Sequence, residues 1–167
     1  KRARTSTGLL VTSPAPPRYE NIGDFRTRGI EVSVTWSPVD VLALFAGATH
    51  LFDQSPDNLP YAPDWSASAG FNYRFFRNFK LSADVLYVDN QYTANNRTAG
   101  YGGSSIAAVG AYLLVNAKLG WEFRLETKGA KGEIYIAGEN LTDESYAYKK
   151  DYPMPGITGM AGVSLQF

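Results

Sequence analysis

No cysteine occurs among the 167 residues, so there is no disulfide framework and no thiol chemistry. That absence fits many compartments and selects none of them. Histidine occurs once, as His50, which leaves a histidine-built metal centre or a Ser-His-Asp triad almost nothing to draw on. Neither sign of charge is in excess: 16 basic residues balance 16 acidic ones, and no basic surplus points to nucleic acid. No apolar run reaches the roughly 18 residues that a transmembrane helix needs, and mean hydropathy is slightly negative. No signal peptide is read in the sequence, whose first residue is Lys1 and not Met. An exported protein must have lost such a segment, or the chain is a fragment of a longer one.

What is abundant is aromatic and small: 11 Tyr, 9 Phe, 3 Trp and 16 Gly. The closing stretch shows how they are arranged. Ile157, Gly159, Ala161, Val163, Leu165 and Phe167 alternate with Thr158, Met160, Gly162, Ser164 and Gln166. A period of two argues a strand with different solvents on its two faces. The stretch matches the roughly 9–11 residues of a tilted strand crossing a bilayer, whereas soluble strands are commonly about 5–6 residues long.

Six earlier segments follow the same rule. Strands are expected over Phe25–Trp36, Val41–Phe52, Trp65–Phe75, Phe79–Thr93, Ala111–Arg124 and Gly132–Leu141. The second has two apolar faces (Leu42, Leu44, Ala46 against Val41, Ala43, Phe45), so its orientation is open. Residues 1–24, with Pro14, Pro16 and Pro17, read as an extracellular loop or the end of a preceding strand; only Gly8–Thr12 has strand character. The connections at 37–40, 76–78 and 125–131 are shorter, and those at 53–63, 94–110 and 142–156 are longer. A meander puts alternate connections at opposite ends, so one end is trimmed and the other elaborated. Outer-membrane barrels have this asymmetry, with short periplasmic turns and longer outside loops.

The second discriminator is charge inside strands. Glu31, Asp84, Lys118, Glu122 and Glu133 fall on the alternate face. In a small soluble barrel these would be buried charges at high cost; in a wide, wet or plugged barrel they are cheap. Trp36, Phe75 and Trp121 fall toward the short-turn ends, where an aromatic girdle belongs. Arg26 and Arg28 share parity with Ile30, which points them outward at the outer rim, toward lipid phosphates. The fold expected is therefore all-β: an antiparallel up-and-down transmembrane β-barrel meander.

Several stretches resemble TonB-dependent outer-membrane receptors. These are Tyr19-Glu20-Asn21-Ile22-Gly23 with Arg26-Thr27-Arg28-Gly29-Ile30-Glu31, then Asn140-Leu141-Thr142-Asp143-Glu144-Ser145-Tyr146, and finally Tyr152-Pro153-Met154-Pro155-Gly156 leading to Phe167. Thr142 stands where that family commonly has an aromatic. The resemblance implies that residues 25–167 are about seven C-terminal strands of a 22-stranded barrel in the bacterial outer membrane. The N-terminal plug and the box that contacts TonB would lie outside the chain. It also implies a transporter of a scarce nutrient such as a ferric siderophore, with no enzymatic activity and no cofactor. The partners implied are the lipid bilayer with its lipopolysaccharide, the barrel-assembly machinery, and TonB through the plug. The rival readings are a complete eight-stranded outer-membrane barrel, a soluble lipocalin-like binder, and an outer-membrane phospholipase-type enzyme. The prolines before Phe25, the in-strand charges with sorted loops, and the want of a Ser-His pair count against them in turn.

No nucleophile–base arrangement is present, and no catalytic residue or metal ligand is expected. His50 reads as a rim histidine in preference to a ligand contact. Asp53, Asp57 and Asn58 lack EF-hand spacing and read as polar loop. Asn96-Arg97-Thr98 and Asn140-Leu141-Thr142 match glycosylation sequons, which carry little weight in a bacterial outer-membrane protein. The long loops carry Tyr61, Tyr92, Arg97, Tyr101, Tyr146 and Tyr148. Interfacial packing accounts for most of these; Arg97 and Tyr101 are the candidates for gripping an anionic, ring-bearing ligand. Phe167, a terminal aromatic on an amphipathic last strand, resembles the signal read by the barrel-assembly machinery and also completes the apolar face.

Overall fold

The computed structural model describes residues 8–11, 18–21, 26–55, 59–95, 105–124 and 130–166. In chain order the strands are β1 (Gly8–Val11), β2 (Arg18–Asn21), β3 (Arg26–Val39), β4 (Leu42–Ser55), β5 (Trp65–Phe75), β6 (Phe79–Val88), β7 (Gln91–Asn95), β8 (Ser105–Val109), β9 (Tyr112–Arg124), β10 (Lys131–Glu139), β11 (Ala147–Lys149), β12 (Tyr152–Pro153) and β13 (Thr158–Gln166). Seven of them form one antiparallel sheet in the order β13-β10-β9-β6-β5-β4-β3. Neighbours in the sheet are neighbours in sequence once the small hairpins are set aside, so this is an up-and-down meander. Its strands run from 9 to 14 residues, about the length needed to cross a bilayer at a tilt. β3 and β13 make no contact with each other, so the sheet is an open arc with two free edges, a section of a barrel wall.

Register assigns the faces. Val34 pairs with Ala46, Ala46 with Ala69, Ala69 with Val85, Val85 with Val115. A second row runs Phe79, Trp121, Ile134, Val163. These rows share one face, and it is bare: Ile30, Val32, Val34 and Trp36 are 58–63% exposed. The same pairing settles β4. Leu42, Leu44, Ala46 and Ala48 belong to the apolar face, and Ala43, Phe45, Gly47 and Thr49 to the other.

Four expectations are corrected. The first turn is Asp40–Val41, and Pro38 lies within β3, where pairing shifts between Trp36 and Val39. β3 is an edge strand here, where a residue without an N–H is tolerated. The fourth strand stops at Val88: Asn90 donates its backbone N–H to Asp89 Oδ1 at 2.8 Å, and Asn90 Oδ1 accepts from Ala111 N at 3.0 Å. Beyond that break, β7 and β8 pair as a hairpin, so the expected loop over 94–110 is partly strand. Before Phe25, Arg18–Asn21 is strand as well and pairs with Gly8–Val11.

Aromatics also take up space left by glycine. The Phe45 ring lies over Gly70 on the neighbouring strand, and the Tyr135 ring over Gly162, where a Cβ would meet the ring at 2.5 Å. Both contacts bridge adjacent strands and help pin register.

Candidate functional site

The site is the inner face of the arc, opposite the bare apolar one. In its middle, polar side chains satisfy one another across strands. Ser82 donates to Asn72 Oδ1 at 2.7 Å, and Asn116 Nδ2 donates to Asp84 Oδ2 at 2.9 Å. Glu122 and Glu133 stand directly opposite each other, an arrangement that repels. Each is neutralised diagonally, by Lys80 at 2.5 Å and by Lys118 at 2.7 Å. Lys118 also lies 4.2 Å from the centre of the Tyr135 ring. Four of the five in-strand charges expected from parity, Asp84, Lys118, Glu122 and Glu133, thus form pairs on one face. Glu31 shares that face through its pairing with Thr49.

At the long-loop end this face is closed by residues 140–157. Asn140 is 3% exposed and has a left-handed φ of 52°. Its backbone N–H donates to Asn116 Oδ1 at 3.1 Å. Its side-chain NH₂ donates to the carbonyls of Glu144 (2.9 Å) and Pro155 (3.3 Å), and its Oδ1 accepts from Glu144 N (2.8 Å). Asp143 adds the second tie, accepting from Ile157 N at 3.0 Å. The Asn-Leu-Thr-Asp stretch is therefore a staple that holds the last long loop to the wall. In the sequence this stretch stands out only as a family motif; an asparagine followed three residues later by aspartate is the turn signal it carries.

The staple lays Tyr146 against Tyr112 and Tyr148, with ring centres 4.9 and 5.4 Å apart. Beneath sits an apolar cluster of Val88, Tyr112 and Leu114, with Leu86 and Tyr146 against it. Desolvation, then the hydrogen bond and field of Tyr148, push the Tyr146 phenol up to about 12. The β7–β8 hairpin joins this assembly. Thr93 is fully buried, donating to the Ala107 carbonyl and accepting from Lys150 N at 3.3 Å. The 59–64 connection is tied in through Tyr61 N donating to Tyr92 O at 2.7 Å. All three long connections thus gather at one end.

On the apolar face at that end, His50 stacks on Trp65 at 4.0 Å between ring centres and donates from Nδ1 to the Asp64 carbonyl at 3.1 Å. One of its two ring nitrogens is thereby engaged locally. At the short-turn end Tyr73, Phe75 and Phe79 stack in series, and Trp121 packs on Phe123, so Phe75 and Trp121 stand where an aromatic girdle belongs. Arg97, Tyr101 and Phe167 lie outside the described residues, as do Asp57 and Asn58.

A meander of long strands with one unpacked apolar face and one charged, internally paired face is built as the wall of a membrane β-barrel. Lipid meets the first face and the lumen meets the second. Residues 4–141 match the family described as TonB dependent receptor-like, beta-barrel. The chain belongs to that family, a bacterial outer-membrane family of receptors and transporters rather than of enzymes.

Proposed function

We propose that this chain is wall and loop structure of an energised importer that takes up a scarce nutrient such as a ferric siderophore, driven through TonB. The observation that supports it most is the division of one sheet between two solvents. A lumen lined by Asp84, Lys118, Glu122 and Glu133 suits a polar, charged cargo or a polar plug, while the other face suits lipid. The stapled long loops gather tyrosines at the outer end, where ring-bearing chelates would arrive. Arg97 and Tyr101, which follow β7 and precede β8 in the sequence, are the proposed grips on such a ligand. Arg26 and Arg28 are proposed contacts to lipopolysaccharide phosphate, and Phe167 the residue read by the barrel-assembly machinery. The test is uptake of a panel of iron-labelled chelates by cells with and without the gene, each with and without TonB. Uptake of at least one chelate that needs both is the expected result. Equal uptake in all four strains, across the panel, contradicts the reading.

A further inference from the structure

The inner face is not balanced along its length. At the short-turn end, Arg74 stands directly opposite Lys80 and Arg124 directly opposite Lys131, and like charges placed so repel. The acidic counterpart of this motif, Glu122 facing Glu133, is resolved within the sheet by Lys80 and Lys118. Once those two pairs are set aside, Arg74, Arg77, Arg124 and Lys131 remain among the described residues at this end. All four line one hollow of about 730 Å³, together with Asn78 and Glu122. Another acid among the described residues, Asp40, lines a neighbouring hollow with Arg74 and Lys80. Glu126 and Lys128, between Arg124 and Lys131 in the sequence, are one of each sign and lie outside the described residues.

We infer that this basic mouth is a docking site for an extended acidic segment of polypeptide, with carboxylates at alternate positions. The dimensions select the occupant. The cations lie on β5 (Arg74), in the turn before β6 (Arg77), at the end of β9 (Arg124) and at the start of β10 (Lys131), so from β5 to β10 they span three inter-strand spacings or about 14 Å. A single phosphate is too small to engage both ends of that span. An extended segment rises about 3.3 Å per residue, so about five residues cover it, and alternate carboxylates fall on one side about 7 Å apart. Arginine forks pair with carboxylates in two parallel bonds, and three of the four cations are arginine. The inference rests on the inner face being a lumen, and not on which nutrient is carried.

The test is zero-length carbodiimide coupling in isolated outer membranes that contain the receptor with this chain. Lys131 is the reporting amine, and linked peptides are mapped by mass spectrometry. The expected partner is an aspartate or glutamate outside residues 26–166, in a segment with acids at alternate positions. The yield should fall about tenfold in Arg74→Gln/Arg124→Gln, which leaves Lys131 in place but removes two charge-assisted contacts. It should fall similarly at about 1 M salt, where the screening length is about 3 Å. Links confined to Glu122, Glu133 or Asp40, no link at all, or a yield unchanged in the double variant overturn the proposal. A rise in Tm with about 1 mM pyrophosphate, without any carboxylate link, overturns it in favour of a small phosphate site; the millimolar range is that of a weak anion site. Unfolding of the double variant at the wild-type Tm or above shows that lost coupling is not lost folding. Because no nutrient is present, a failed uptake assay and a failed coupling are separate results.

Discussion

The two ends of the inner face are built on opposite principles. At the long-loop end, polar groups are buried and find partners within the chain. Asn140 uses its backbone N–H and three side-chain bonds, and Thr93 is fully buried between β8 and Lys150. At the short-turn end, four cations remain among the described residues after the internal ion pairs are made. Buried polar groups without partners are costly, and at the first end Asn140 and Thr93 have theirs within the chain. Exposed like charges cost less, so the second end can hold an imbalance ready for a partner. One end is held in shape and the other is held in charge.

Substitutions at Asn140 put the most strain on that contrast. Asn140→Ala removes three side-chain hydrogen bonds and leaves a left-handed backbone on a residue that disfavours it. Together these should cost about 2–4 kcal/mol in denaturant unfolding. Asn140→Gly, free of the backbone penalty, should recover about 1 kcal/mol of that. Equal stability of wild type and Asn140→Ala would remove the staple from the account. Lys118→Met tests the middle of the face, where Glu133 would lose its partner while still opposing Glu122. A loss of about 1 kcal/mol is expected, shrinking as salt is added.

The pH dependence of the tyrosine cluster is smaller, because Tyr146 keeps some solvent contact. Its pKa is raised from 10.0 to about 12 in the folded protein, so the folded state holds the phenolic proton more tightly than the unfolded state does. Its contribution is therefore present below pH 10 and is lost as pH rises toward 12. Phenolate absorbance assigned by difference to Tyr146→Phe should emerge near pH 12; emergence near 10 would contradict the cluster. The smallest effect belongs to the other end. Lys131→Gln relieves the opposition with Arg124 and should raise stability by a few tenths of a kcal/mol at low salt when the mouth is empty. A loss of stability instead would mean that the basic mouth is structural.

Much of the wall was legible in the sequence because one strand face meets lipid and the other meets water, and period two records that directly. Trp65–Phe75 was bounded to the residue, and Asp84, Lys118, Glu122 and Glu133 fell on the face that parity gave them. β4 was illegible alone, since Leu44 and Phe45 are equally apolar; only pairing with β3 and β5 separates them. Pro38 suggested a turn two residues early because an edge strand tolerates what an inner strand does not. The β7–β8 hairpin was hidden because its strands, Gln91–Asn95 and Ser105–Val109, are short and flank a stretch rich in glycine, asparagine and serine that reads as loop. The basic mouth is invisible in one dimension, since Arg74 and Lys131 meet only through the register of four strands.

The central claim is that the two faces of this sheet meet lipid and lumen. The chain contributes no cysteine of its own, so single labels can be placed along β3 by Val32→Cys, Ser33→Cys, Val34→Cys and Thr35→Cys in the receptor reconstituted into bilayers. Nitroxide accessibility to oxygen, which partitions into lipid, is then compared with accessibility to a water-soluble nickel chelate. The account predicts a period of two, with oxygen favoured at 32 and 34 and the nickel chelate favoured at 33 and 35. Uniform accessibility, or the reverse alternation, would contradict it.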